Sequence, residues 1–460
     1  MTLEATSTKP VVHRGHISAR IERLPRTRWQ VKARVVVGAV TFFDGFEQLM
    51  LAYSLPVLVQ KWSLDALQTT WLITVGGLGM LVGALSGGFT ADRAGRLKVV
   101  TGALIIFSVT SLGMAFTDSL EVFMVLRFIE GIGLGAAVPV GASYVNEIAK
   151  AKGRGRFVLL YETVFPVGLV ISAVASSWIV PRFGYEVLFV IGFLPILLTP
   201  LVMRLPESPR WLASRGRLED ADRSMARIES AVEKDTGKPL PQPDLSVATE
   251  ETNERGSFLD LFRKKYLRRS LMLAGLWFSA YFVNYGIASW LPTIYSKTFN
   301  ADVQTALQYS VATSCAGLVG CLVIAFVIDG LGRKLCLSGA MLTASILLFT
   351  LSGLGATSAI QVVIWTACTA VFIFAVNMAL YVYTAELYPT KIRAMGSAWG
   401  GAWARLGIIL GPIIVGQVLA TTGQISTAFT VFGCVAFVGF LIAAIFGIET
   451  KEKTLEEINK

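Results

Sequence analysis

The stretch GGFTADRAGRLK at residues 87–98 closes a long apolar run, and a degraded copy, AFVIDGLGRK at residues 325–334, closes another. Glu147 and Arg154 recur as Glu386 and Arg393 at nearly the same offset, since 329 − 92 is 237 residues and 386 − 147 is 239. Two such shifts mean that one unit has been built twice. In a chain this apolar, a doubled unit with charged hinges predicts a transporter whose halves rock about a central site.

Composition decides the solvent. With 54% hydrophobic and 16% charged residues, a chain of 460 residues lacks the polar surface that a water-soluble globule needs. Apolar stretches of span length fall at 33–59, 69–90, 97–116, 121–146, 157–181 and 185–204, then at 268–292, 305–328, 335–353, 358–385, 395–420 and 425–447. The expected fold is an all-α membrane protein of twelve transmembrane helices, numbered here as spans 1 to 12. Its organisation reads as an N-terminal tail (1–32), a first bundle (33–204), a linker (205–266), a second bundle (267–447) and a C-terminal tail (448–460).

Placing the N-terminus inside puts 36 of the 41 Lys and Arg residues on the inner side, with three in outer loops (Lys61, Arg182, Lys297) and two within spans (Arg127, Arg405). That asymmetry predicts cytoplasmic termini. The net charge of +10 is thus a topology signal, and nucleic acid is not an expected partner. Basic residues 263–265, 268 and 269 flank the start of span 7, where anionic lipid head groups would meet them. The first 28 residues are polar and basic, so a flexible tail is expected rather than a cleavable signal peptide. All five Cys lie in or beside spans and suggest neither a disulfide framework nor a metal site. His13 and His16 are the only histidines and sit in the tail, which excludes a His relay within the membrane. No Asn-x-Ser/Thr acceptor occurs, which favours a bacterial inner membrane.

Residues 205–266 form the only long hydrophilic stretch, and its Pro-rich middle, 234–256, reads as a disordered connector. Leu218, Ala221, Met225 and Ile228 keep helical spacing, so one or two short surface helices are expected there. In the repeated motif, Gly88 lets two helix backbones approach, and Asp92 can hold the N-terminus of a facing helix by its dipole. Arg93, Arg96 and Lys98 then anchor the loop. Asp329, Gly332, Arg333 and Lys334 repeat the scheme, with Ala325 in place of Gly88 and Gly330 in place of Arg93. Glu147 with Arg154, and Glu386 with Arg393, can bridge a helix end to the neighbouring loop. Such networks either close the inner side in one state and break in the other, or merely pin loops.

GxxxDRxGRxK at 88–98 resembles the signature of the major facilitator superfamily. PESPRWL at 206–212, YTAELYPTKIR at 383–393 and ETKEKTLEEI at 449–458 are similar to motifs of its sugar porter and organic ion transporter branches. The resemblance covers all twelve spans. It implies two six-helix bundles related by a pseudo-two-fold axis along the membrane normal, working by alternating access.

An ionisable side chain at mid-membrane costs about 2.5–3.5 kcal/mol even on insertion scales, so each needs a partner or a watery cavity. Span 11 carries Arg405 near its centre. A guanidinium matches a carboxylate with two parallel hydrogen bonds, and ARLGIILGP at 404–412 resembles the organic anion transporters, where an Arg here implies anion selectivity. The alternative is a structural pair with an acid such as Glu162. Span 1 contains FFDGFEQLML at 42–51, which sets Asp44, Glu47 and Gln48 at i, i+3 and i+4. Two carboxylates on one face would resist double ionisation, as a proton-coupling site requires. Proton-coupled sugar porters carry a GYD motif, often with an Arg on span 4. The resemblance puts Glu47 and Arg127 at those places, although Arg127 reads as two turns nearer the outside and has Glu130 one turn away.

Aligning Leu55-Pro56 with Leu291-Pro292 lays span 7 over span 1, so Asp44, Glu47 and Gln48 fall on Ala280, Val283 and Asn284. Span 7 instead offers aromatics. Trp277, Tyr281 and Asn284 share a face and, with Tyr285, form an expected aromatic box, with Trp399 and Trp403 as further members; each aromatic taken singly is as compatible with packing. Glu162 stands where sugar porters bind with a Gln, and span 7 lacks their paired Gln, so a hexose fits poorly.

These readings converge on a proton-coupled uptake system for a small aromatic monocarboxylate, nicotinate first by resemblance to bacterial niacin transporters. No cofactor is expected beyond the proton, and the protein is expected to be a monomer. An organic cation carrier using Glu47, Asp44 and Glu162, or a porter for sugars or other metabolites, remains open, as does a non-transporting receptor. No nucleophile, base or metal-ligand constellation supports an enzyme.

Overall fold

Twelve helices long and apolar enough to cross a bilayer occupy the twelve expected stretches in a computed structural model, which describes residues 14–25, 27–150, 157, 161–243 and 258–451. They are Arg28–Lys61, Ala66–Ala94, Arg96–Ala115, Leu120–Ile148, Val164–Phe183 and Tyr185–Arg204, then Lys264–Thr298, Val303–Leu331, Arg333–Gly353, Ala359–Leu387, Met395–Thr422 and Ile425–Phe446. Spans 1 and 7 have 34 and 35 residues. At 1.5 Å per residue each is about 50 Å long and overshoots a ~30 Å hydrocarbon core. Sequence hydropathy missed that overshoot where the projecting turns are basic, as at Arg28 and Lys32 ahead of the expected start of span 1 and Lys264 and Lys265 ahead of that of span 7. Span 6 is α-helical only to Phe193, tightens to a 3-10 turn over Leu194–Leu198 and resumes at Thr199–Met203. Pro195 and Pro200 remove the N–H donors that a regular ladder would use.

The two halves repeat each other's packing. Spans 2·4, 3·4, 1·5 and 3·6 pack together in the first half as 8·10, 9·10, 7·11 and 9·12 do in the second. Between halves, 5·8 matches 11·2, and spans 1 and 7 meet on the pseudo-axis. Small residues set the closest approach: a Cβ at Gly131 would strike the carbonyl oxygen of Gly76, and one at Gly135 that of Met80. Without a hydrophobic drive between helices in lipid, such backbone contact supplies the dispersion that holds spans 2 and 4 together.

Described hydrogen bonds between the halves lie at the face opposite the termini. Tyr53 Oη meets Ser314 Oγ at 3.1 Å, and Lys297 Nζ donates to the Leu64 carbonyl at 3.3 Å. Gly416 abuts Thr70 there, and Gly77 abuts Ile409. The halves are therefore clamped at the short-loop face.

At the face that bears the termini, residues 14–25 depart from the expected flexible tail. Arg14–Glu22 is a helix whose Ile17 and Ile21, followed by Leu24, pack on Trp211, Met225, Ile228 and Val232 of the linker. The partner helix, Leu218–Thr236, continues past Ile228, the last residue of the expected helical spacing. Arg20 bridges Asp222 at 2.5 Å and Glu229 at 2.6 Å, Arg23 bridges Glu229 at 2.5 Å, and Arg210 bridges Glu22 at 3.1 Å. The apolar spacing of the tail is too short to announce a helix; its stability comes from the linker face it covers. The Pro-rich connector lies mostly outside the described residues.

This clasp has a signed pH dependence. Burial alone would push the Glu229 carboxyl up, yet the guanidiniums of Arg20 and Arg23 outweigh it and hold it below the usual carboxylate range. A depressed folded value means that the stabilisation is present above the ordinary Glu value, about 4.3, and is lost as pH falls below it and through the lower folded value. Amide exchange at residues 17–22, corrected for intrinsic rates, should accelerate as pH is lowered from neutral to below the ordinary Glu value of about 4.3; a flat profile would refute the clasp.

Candidate functional site

The charged motifs at the linker face resolve into two matching networks, each within its own half. Arg96 binds Asp92 at 2.7 Å and Glu147 at 3.1 Å. Arg333 binds Asp329 at 2.9 Å and Glu386 at 2.8 Å. Arg154 lies outside the described residues, and with it the expected pairing to Glu147; in the second half Glu386 pairs with Arg333 rather than with the expected Arg393. Arg393 follows Pro389, to whose carbonyl its backbone N–H donates at 3.0 Å. Arg93 stacks over Phe89 at 3.4 Å and stays apart from the network.

Asp92 does not cap a facing helix as expected. The carboxylate at the N-terminus of span 3 is Glu207, which accepts from Leu97 N at 3.1 Å. At span 9 it is Glu449, accepting from Arg333 N at 3.0 Å and Lys334 N at 3.1 Å. Both helices start at a glycine with positive φ, Gly95 at 115° and Gly332 at 90°, and a Cβ at either would strike the capping carboxylate. Burial pushes the Glu207 carboxyl up against the backbone N–H groups that favour its charged form. At Glu449 burial is outweighed by the N–H groups of Lys451, Arg333, Lys334 and Thr450, and the carboxyl stays below the usual range. The motifs at 206–212 and 449–458 are thus pseudo-equivalent latches; sequence spacing could not reveal it, because each cap reaches more than a hundred residues back.

Between the halves lies a cavity with about 640 Å³ of atom-free space. Asp44 and Gln48 of span 1, Glu162 just before span 5 and Phe165 within it, Tyr281, Asn284 and Tyr285 of span 7, Phe374, Asn377 and Tyr381 of span 10 and Arg405 of span 11 line it. Tyr381 is 39% exposed although its ring meets Trp277 edge-on at 4.9 Å and its hydroxyl meets that of Tyr281 at 3.2 Å. Tyr381, near the linker end of span 10, lines the cavity. Tyr281 and Tyr285 stack with planes 11° apart, a rigid aromatic wall for a flat ligand.

Arg405 makes no hydrogen bond or ion pair with any described residue, and its Nε is buried without a partner. The alternative pairing with Glu162 does not form. Asp44, 5% exposed, lies within electrostatic reach of Arg405 without bonding to it.

Asp44, Glu47 and Gln48 do not act as one face. At 100° per residue Glu47 and Gln48 diverge, so Asp44 and Gln48 line the cavity while Glu47 turns into the first half. There a Cβ at Gly192 would lie 3.2 Å from Glu47 Oε1. Glu47 and Glu130 are both 0% exposed and face each other, and Arg127 forms an ion pair with Glu130. The paired carboxyls are therefore Glu47 and Glu130, not Glu47 and Asp44. Neither oxygen of Glu47 finds a donor among the described residues, because the group it faces is another carboxyl. Arg127, with room made by Gly76, lines a smaller adjoining cavity together with Gln48 and Tyr285. The expected depth gap between Glu47 and Arg127 is closed by Glu130.

Trp277 stands one layer behind the wall, donating to Thr384 Oγ1 at 3.0 Å and stacked on Tyr281 at 5.5 Å. Trp399 donates to the Ser270 carbonyl at 2.8 Å, and Trp403 packs on Phe278. None of these three indoles lines the cavity; their rings serve packing. The contribution of span 10 to the cavity was missed by sequence reasoning. Its one legible signal is Asn377, an amide in the middle of VFIFAVNMAL at 371–380.

Comparison with known proteins agrees with this architecture. The "Niacin transporter NiaP" of Acinetobacter baylyi is 33% identical over 441 residues, covering 96% of this chain and 99% of that protein. The "4-hydroxybenzoate transporter PcaK" of the same organism is 29% identical over 397 residues, covering 85% and 86%. Among solved structures, a partially occluded inward open conformation of the xylose transporter XylE from E. coli is similar at a TM-score of 0.73 and 19% identity, covering 93% of this chain and 99% of that one, which shows the fold alone. The family model "Sugar (and other) transporter" matches residues 36–460, and the chain belongs to that family, within the major facilitator superfamily.

Proposed function

We propose that this secondary transporter carries a small aromatic monocarboxylate, nicotinate first, together with a proton into the cell across a bacterial inner membrane, with the linker face in the cytoplasm. The observation that carries the reading is Arg405, a guanidinium within the spans that has no hydrogen-bond or ion-pair partner among the described residues and stands beside a stacked tyrosine wall. An unpartnered charge at that depth is costly, and a substrate carboxylate offers the fork-to-fork geometry that relieves it. The similarity to a niacin and a hydroxybenzoate transporter supports the same class. Glu47, Glu130 and Arg127, next to the cavity through Gln48 and Tyr285, supply the proton site.

One observation favours a second reading. Asp44 and Glu162 place two carboxyls in the cavity against one guanidinium, an arrangement that also suits an organic cation. Thermal stabilisation of the purified protein by nicotinate, benzoate, a quaternary amine and glucose, at two pH values, separates them. A ligand at a hundredfold excess over its Kd stabilises the native state by about 2.7 kcal/mol. The acids should raise the midpoint, and a response to the amine or glucose alone would reverse the assignment.

A further inference from the structure

We propose that the substrate's ring carries a second hydrogen-bonding group, a hydroxyl or a ring nitrogen, and that Asn377 reads it. This rests on the aromatic-carboxylate reading above and narrows its substrate class. Asn377 is 7% exposed, lines the cavity, and its Oδ1 is buried without a donor among the described residues. Phe374 and Tyr381, at i−3 and i+4, lie on the same helical face and line the same space.

Some of the neighbouring polar groups are already engaged with one another or with the helix backbone. The hydroxyls of Tyr281 and Tyr381 meet each other at 3.2 Å. Gln48 Nε2 points at Met80 Sδ at 3.3 Å, and Cys321 Sγ donates to the Phe374 carbonyl at 3.8 Å. The Asn377 Oδ1, buried in the cavity wall with no donor among the described residues, is left to the ligand. It sits on a different span from Arg405 and makes no bond to it, so a ligand whose carboxylate is held by the guanidinium meets the amide with another part of its ring. A terminal amide can accept from a hydroxyl through Oδ1 or donate to an aza nitrogen through Nδ2. Unsubstituted benzoate can do neither and leaves the amide buried and unpaired. Sites built to hydrogen-bond a substrate group reject the analogue that lacks it far better than apolar pockets reject an extra group.

Binding of nicotinate, 4-hydroxybenzoate and benzoate to the native protein, Asn377→Leu and Asn377→Ala tests this. The native protein should bind at least one of the first two acids tighter than benzoate by roughly 10- to 100-fold, the equivalent of one buried amide left unmade. Both variants should lose that margin while keeping benzoate affinity within about twofold, which also reports that they are folded. Equal affinity of the native protein for all three acids, an undiminished margin in the variants, or a parallel loss for benzoate in both variants overturns the role of Asn377. Failure of all three acids to bind the native protein overturns the aromatic-carboxylate reading itself, so the two failures are distinguishable.

Discussion

Arg405→Ala is expected to abolish high-affinity binding of aromatic carboxylates while leaving the protein folded. Removing one partner of a buried, hydrogen-bonded charge pair costs about 2–5 kcal/mol, a loss between roughly 30-fold and several thousand-fold in affinity. The fold should survive because Arg405 forms no ion pair or hydrogen bond with the described residues that alanine could break. Taking an unpartnered guanidinium out of the spans removes a desolvation cost, so the unliganded variant should be at least as thermally stable as the native protein. Arg405→Lys keeps the charge but not the planar fork, and should recover only part of the affinity. Calorimetric or thermal-shift titration with nicotinate checks all three statements. Native-like nicotinate affinity in Arg405→Ala would sink the anion site, and if a quaternary amine then bound as well or better, Asp44 and Glu162 would be the substrate's partners instead.

How much of this was readable beforehand differs between fold and site. The twelve spans were legible because a bilayer demands about 20 apolar residues per crossing, a property of composition that needs no partner. Helix ends were less so, since the basic overhang of span 7 and the clasped helix at Arg14–Glu22 are decided by what they rest on. At the site, Arg405 and Gln48 were legible as polar groups at mid-span, and Asn377 carried the same signal without being read. Pairing was not legible. Asp44 and Glu47 look adjacent at i and i+3, yet Glu47 is turned toward Glu130 by the helical angle, and Glu130 belongs to another span. Trp277 shares the helical face of Tyr281, but a hydrogen bond to Thr384 holds its indole one layer back. Internal repetition singled out Glu147 and Glu386 but not Arg96 and Arg333 as their partners, while the caps Glu207 and Glu449 only reveal their equivalence once the chain is folded around Gly95 and Gly332.

Glu47→Gln should eliminate accumulation driven by a pH gradient and spare substrate exchange. Two carboxyls, Glu47 and Glu130, are wholly buried beside a single guanidinium, Arg127. With both ionised the cluster carries one uncompensated negative charge at membrane depth, and one proton shared between the facing carboxyls neutralises it. Replacing either acid by its amide leaves one carboxylate against one guanidinium, a neutral cluster that needs no proton to move. Glu130→Gln should therefore uncouple as Glu47→Gln does. Asp44→Asn tests a different matter, because Asp44 faces Arg405 across the substrate cavity and its loss should change affinity before it changes coupling. The measurement is uptake of labelled nicotinate into proteoliposomes with an imposed pH gradient, against counterflow without one. Gradient-driven accumulation should fall to the equilibrium level in both glutamate variants, while counterflow stays within a few-fold of native. Accumulation that persists in Glu47→Gln, or that fails only in Asp44→Asn, would move the proton to the substrate cavity and leave Glu47, Glu130 and Arg127 as a structural triad.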